Sequence, residues 1–159
     1  MRIECVSVII HPDGHKILMS LSEHDDDLIT FNPQTGQLDK LIDSDAEDHL
    51  ARFSPNGQSI AFVSSRTGRQ QLYISYKGND INIFTNPENQ PIYRSPVWSK
   101  LGDKLIFSFA NNLFIYSVNT KSLSKIEMPE TFTSVLDWYS NDNLLLIAIS
   151  ISFQILSKQ

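Results

Sequence analysis

Cysteine is almost absent: Cys5 is the single one in 159 residues. That excludes an internal disulfide and a cysteine-based metal centre, and it suits a reducing or an oxidising compartment alike. Cys5 stands in the alternating run Ile3-Glu4-Cys5-Val6-Ser7-Val8, which reads as a strand. The expected role is that of a strand residue packed in the core or at an edge, since a reactive thiol would need a basic partner beside it. Long apolar runs are also missing. Met1-Arg2-Ile3-Glu4 lacks the hydrophobic core of a secretory leader. The longest apolar stretch, 144–156, is broken by Ser150, Ser152 and Gln154, so membrane insertion by this segment is not expected. Positive charge is sparse: 13 Lys and Arg stand against 18 Asp and Glu, for a net charge of −5. The basic residues are scattered, whereas nucleic-acid binding needs them clustered against phosphates. Direct nucleic-acid binding is therefore not expected. Three uninterrupted turns of helical periodicity occur nowhere, so no long helix is expected. The chain carries 41% apolar and 19% charged residues, which argues against disorder and for a real buried core.

What is present is a repeat. Four polar turns are each flanked by apolar runs: His11-Pro12-Asp13-Gly14, Ser54-Pro55-Asn56-Gly57, Ser99-Lys100-Leu101-Gly102 and Ser140-Asn141-Asp142-Asn143. Their first residues lie 43, 45 and 41 positions apart. A period of about 40–45 residues with several short strands per unit is the signature of propeller blades. The expected fold is all-β, an array of about four four-stranded antiparallel blades in an open or partial propeller. The expected units are 3–42, 47–85, 92–128 and 133–159, all in one domain spanning 1–159.

Each unit predicts a strand before the turn, at 4–10, 49–53, 92–98 and 133–138. A more apolar strand follows it, at 16–22, 59–65, 104–110 and 144–150. Runs such as Ile60-Ala61-Phe62-Val63 read as strands buried on both faces, as blades stacked face to face require. Third strands are expected at 28–32, 71–76, 113–118 and 153–156, and more polar fourth strands at 37–42, 81–85 and 123–128. The fourth unit supplies three strands, so a fragment or an open arc is expected, with apolar blade faces that invite a homo-oligomer. Phe62→Asp and Ile106→Asp are both expected to abolish soluble folding.

Catalytic constellations are missing. There is no Gly-x-Ser-x-Gly elbow and no glycine-rich phosphate loop, and nothing places a His and a carboxylate beside Ser64 or Ser65. His11, His15, His24 and His49 share no metal-ligand spacing. His11 takes the place of the turn serine and reads as a turn cap. His24-Asp25-Asp26-Asp27 at a hairpin tip carries carboxylates suited to Ca²⁺ but no glycine to shape the loop. Asp43 and Asp45 mimic the start of an EF-hand loop that lacks its glycine and distant glutamate. Asp48 is expected to tie that loop to the next turn by hydrogen bonds. Trp98 and Trp138 hold equivalent positions one unit apart and read as inter-blade core. No catalytic residue, cofactor or metal is expected.

The segment Ala51-Arg52-Phe53-Ser54-Pro55-Asn56-Gly57-Gln58-Ser59-Ile60-Ala61-Phe62-Val63-Ser64-Ser65-Arg66-Thr67-Gly68, followed by Gln71-Leu72-Tyr73-Ile74, closely resembles the TolB-type propeller repeat. Pro96-Val97-Trp98-Ser99 with Leu105-Ile106-Phe107-Ser108 looks like a second copy, and the segments around His11 and Ser140 look like degenerate ones. The resemblance implies a propeller without catalytic activity that meets a protein partner or small ligand on loop surfaces. Unit two looks most like the extracytoplasmic C-terminal propeller of membrane-anchored bacterial transcriptional regulators of the CadC/ToxR kind, which would make it a periplasmic sensory domain. Two other settings are implied: a free-standing periplasmic scaffold like TolB itself, which binds Pal and colicins, and the gating propeller of a prolyl-oligopeptidase-like serine peptidase.

Overall fold

Each described copy of the turn folds the same way. The N–H groups of Gly14, Gly57 and Gly102 donate to the carbonyls of His11, Ser54 and Ser99 at 2.8, 2.8 and 2.9 Å. The three glycines take φ of 75°, 70° and 73°, a left-handed conformation that a Cβ disfavours. Lys100-Leu101 replaces the Pro-Asn of unit two without changing this geometry, because the unusual φ falls on the glycine. Where serine leads the turn, its Oγ accepts the N–H of Ser59 at 2.9 Å or of Lys104 at 3.0 Å. The computed structural model describes residues 4–22, 26–42, 44–88, 90–110, 112–127, 132–138 and 144–148. The fourth turn, Ser140 to Asn143, and the strand expected at 153–156 lie outside the described residues.

The fold is all-β, with no helix among the described residues. Sheet one holds β1 (Glu4–Ile10), β2 (Ile17–Ser22), β3 (Asp26–Phe31) and β4 (Leu38–Ile42). Sheet two holds β5 (Asp48–Phe53), β6 (Ser59–Ser64), β7 (Gln71–Tyr76) and β8 (Asn79–Phe84). Sheet three holds β9 (Val97–Trp98), β10 (Lys104–Phe109), β11 (Asn112–Ser117) and β12 (Ser122–Ile126). β13 (Phe132–Trp138) and β14 (Leu144–Ala148) form a two-stranded fourth sheet. Within every sheet the strands are antiparallel and follow chain order. The first strands lie innermost, β5 touching β9 and β9 touching β13. The array does not close into a ring and is an open, partial propeller.

Strand alternation between two covered faces explains why the runs 60–63 of β6 and 105–107 of β10 are apolar throughout. Ile60, Phe62 and Tyr73 turn to sheet one, where they pack on Leu18, Leu28 and Ile42. Ala61, Val63, Leu72 and Ile74 turn the other way, onto Leu105, Phe107 and Tyr116 of sheet three. Phe84, Phe107, Phe109 and Phe114 interlock there at ring separations of 5.0–5.3 Å. Ile106 and Leu113 face Trp138 of the fourth sheet. The fourth strands β4, β8 and β12 are the exposed ones, as their polar sequences require.

Two expected elements differ. The run 92–98 pairs only at Val97–Trp98, because Pro96 lacks the N–H a ladder needs. Ile92 is buried all the same, its N–H donating to Gln70 Oε1 at 2.7 Å. The turn after β7 is shorter than expected: Tyr76 pairs directly with Asn79, and Lys77 and Gly78 both take positive φ, 51° and 77°. That is the two-residue hairpin whose twist matches the flanking strands.

One face of sheet one has no described partner. Val8, Ile10 and Leu38 lie on it at 59%, 68% and 59% exposure. The register brings Ile17 and Phe31 onto the same face.

Candidate functional site

A groove of about 560 Å³ runs along the inner strands, between β5, the segment 93–98 and Asp137 of β13. A bulge in β5 shapes it. Between His49 and Arg52 the register slips by one residue, and Leu50 takes a left-handed φ of 53°. Such a bulge bends its strand and re-aims the following side chain. Arg52 is delivered to the groove wall half-buried, its Nη1 donating to the Ala51 carbonyl at 2.8 Å. No described carboxylate pairs with it, and burial alone pushes its guanidinium below the ordinary arginine value. Arg94 and Tyr93 stand exposed on the opposite lip, Tyr93 at 79%. Trp98 forms the floor and donates its indole N–H to the Arg52 carbonyl at 3.0 Å. Trp138 repeats that bond one sheet further on, to the Val97 carbonyl at 3.1 Å. The two tryptophans are therefore rivets between successive inner strands.

A second polar cluster fastens the entry to sheet two. Asp48 is fully buried; its Oδ2 accepts from Ser44 Oγ at 2.6 Å, and its carbonyl accepts from Ser20 Oγ at 3.4 Å. Arg66 reaches the Asp48 carboxylate at 3.4 Å and that of Asp80 at 2.7 Å. Its guanidinium lies over the rings of Phe62 and Tyr73 at 5.3 and 4.9 Å. Burial lowers the Arg66 pKa, but the Asp80 and Asp48 carboxylates outweigh it and raise it overall. Ser64 Oγ accepts from Arg66 Nε at 2.9 Å in the same cluster. Asp48 thus ties loop to sheet as its place in the sequence suggests, with Arg66 as the partner that sequence alone did not single out.

His11 does more than cap its turn. Its Nδ1 accepts the N–H of Asp13 at 3.2 Å and sits 2.8 Å from the Asp13 carboxylate. Its Nε2 reaches the Gly57 carbonyl of the next unit at 3.2 Å, and its ring meets Phe53 edge-on at 4.5 Å. A methyl group at Gly57 would collide with the imidazole, whereas one at Gly14 would meet open space. Both glycines have positive φ, worth about 1 kcal/mol each against alanine. Gly57→Ala is therefore expected to cost at least about 1 kcal/mol more than Gly14→Ala in urea unfolding. Equal losses would show that the His11 seat contributes nothing.

The remaining sequence candidates do not converge. Asp27 pairs with Lys40 at 3.1 Å, while His24 and Asp25 lie outside the described residues. So does Asp43 of the EF-hand-like start. His15 is held locally, its N–H donating to Asp13 Oδ1 at 2.8 Å. That bond is the main cause of a lowered Asp13 pKa. His49 Nε2 approaches Gln70 at 3.4 Å. Cys5 is on β1, opposite Leu21. Among the described residues no group of three or more His, Cys, Asp or Glu is arranged to hold a metal ion, and no helix is long and apolar enough to cross a membrane.

A family model, the TolB beta propeller domain, matches residues 4–145. Among solved structures the chain is similar to TolB from Acinetobacter baumannii, at 21% identity and a TM-score of 0.58 over 76% of this chain and 31% of that one. It is similar to the beta-propeller domain of the Trilobed protease from Pyrococcus furiosus, which has an open velcro topology, at 14% identity and a TM-score of 0.66 over 86% and 46%. It is also similar to the acylaminoacyl peptidase of Pyrococcus horikoshii, at 13% identity and a TM-score of 0.65 over 87% and 27%. At these identities the likeness is one of fold. The chain spans under half the length of each of the three.

Proposed function

The chain belongs to the TolB beta propeller domain family, and on that premise we propose that it is a non-catalytic binding scaffold, offering its loops and inner groove to a protein partner or a small ligand. The observation that carries this reading is the groove itself: Arg52, Arg94, Tyr93 and Trp98 line it with Ser95 and Asp137, and no described histidine lines it to activate the serine. The expected result is no hydrolysis of peptide p-nitroanilides by the purified chain; turnover abolished by a groove substitution would overturn the scaffold reading.

The finer setting we propose is the C-terminal sensory propeller of a bacterial transcriptional regulator of the CadC type, facing the periplasm. The wording of unit two, from Ala51 to Gly68, supports it. A coding sequence that also specifies a winged helix and a span of about 20 apolar residues bears this out. A secretory leader alone would point to a TolB-like scaffold instead, and a nucleophile elbow to a peptidase propeller.

Self-association belongs to this proposal, with a second copy on the open face of sheet one. That face is apolar, and its charged pair, Asp27 with Lys40, is neutralised internally, so two copies meet without like-charge repulsion. Light scattering should give at least twice 18.1 kDa, and Ile10→Lys should return the monomer. A monomeric parent chain would refute this contact.

A further inference from the structure

We propose that the inner groove binds a small organic carboxylate with an apolar body, its anionic group on Arg52 and Arg94 and its apolar part against Tyr93 and Trp98. The inference rests on the scaffold reading at this groove. Hydrolysis of peptides would sink that reading, whereas the titrations below decide the ligand assignment alone.

Arg52 carries the argument. A guanidinium is planar, always charged, and presents five N–H donors in a fork that matches a carboxylate. Here it is withdrawn from water by the β5 bulge, makes one hydrogen bond to a main-chain carbonyl, and has no described acid beside it. Elsewhere in this chain a partly buried arginine is matched fully: Arg66 has Asp48 and Asp80 within reach. The contrast marks Arg52 as a charge whose partner comes from outside. Desolvation strengthens any bond it makes to an anion.

The other lining groups set the size and charge of the ligand. Arg94 adds a second guanidinium on the facing lip. Asp137 is the acid on the wall, and its Oδ1 already accepts the N–H of Trp138 at 2.7 Å. Two arginines against one aspartate leave one surplus positive charge, which suits a single carboxylate better than a phosphate dianion. Tyr93 stands far out of the surface for an aromatic side chain, and the largely buried Trp98 also lines the groove, so an apolar body has one open ring and the small exposed part of another to cover.

The probe is 4-phenylbutyrate, with 4-phenylbutanol as the neutral counterpart and inorganic phosphate as the competing anion. Isothermal titration of the 159-residue chain, with tryptophan fluorescence as second readout, should detect the carboxylate at millimolar or lower concentration. The alcohol and phosphate should bind at least about tenfold more weakly. Arg52→Gln should lose about ten- to hundredfold in affinity, and Arg94→Gln, which alters only an exposed side chain, several-fold. Circular dichroism and the thermal midpoint of each variant establish that it is folded. Equal affinity for carboxylate and alcohol, undiminished binding by both folded variants, or no binding by the parent chain overturns the proposal.

Discussion

Ile106→Asp is expected to leave no soluble, cooperatively folded protein. Ile106 is completely buried between sheet three and the fourth sheet, against Leu113 and Trp138. Removing its side chain from a packed core costs about 2–5 kcal/mol, and the new carboxylate adds several more for want of a partner. The sum approaches the whole stability of an ordinary domain, about 5–15 kcal/mol. The sequence alone puts Phe62→Asp on a par with it, but the structure makes Phe62→Asp the milder of the two, although Phe62 is equally buried. Arg66 lies 5.3 Å over the Phe62 ring and offers the new carboxylate a cation. Far-UV circular dichroism of the soluble fraction, followed by urea unfolding of whatever folds, separates the two outcomes. If Ile106→Asp unfolds with the parent's midpoint, the assignment of Ile106 to an inter-sheet core is wrong.

Arg66→Ala is expected to destabilise the chain by about 3 kcal/mol, most of it through Asp48 rather than through lost contacts of arginine itself. The Asp48 carboxylate is inaccessible to water and, among the described residues, keeps only the Ser44 hydroxyl once the guanidinium is gone. A buried charge stripped of its partner is the costly case, whereas the half-open Arg66–Asp80 pair contributes little. The rescue follows: adding Asp48→Asn to Arg66→Ala should recover more than half of the loss, because a neutral amide still accepts from Ser44. A double-mutant cycle in urea measures this coupling. Additive losses would mean that Arg66 acts mainly by packing its stem and guanidinium on Phe62 and Tyr73.

The fold was largely legible in the chain because its signals are local. Glycine at the last position of three of the four turns, apolar runs after each turn and a polar closing strand in the first three units are read off directly, and the turns recur at 41–45-residue spacing. The degenerate turn at Ser99 was readable for the same reason, since Gly102 keeps the left-handed position that matters. The overlong strand assigned to 92–98 failed for an equally local cause. Pro96 interrupts the ladder, yet Ile92 stays buried through a side-chain acceptor, Gln70, that lies 22 residues away. No periodicity encodes a bond of that kind.

The candidate site was much less visible. Arg52 and Arg94 are ordinary basic residues in sequence, and scattered charge is no signal at all. They share a groove because three inner strands converge and because a bulge with a left-handed Leu50 re-aims one of them. Alternation alone would have carried Arg52 past that turn. Arg66 offered a faint trace in the Ser-x-Arg-x-Gly wording after β6, but its two acids are 18 and 14 residues distant. The sequence by itself determined the all-β class, the repeat and the turns, since backbone conformation and side-chain alternation are set within a few residues. Only the tertiary structure decided which charges are paired, which face is left open and which arginine is left wanting an anion. Those outcomes depend on how sheets stack and where a strand bulges, and so on residues about one blade apart.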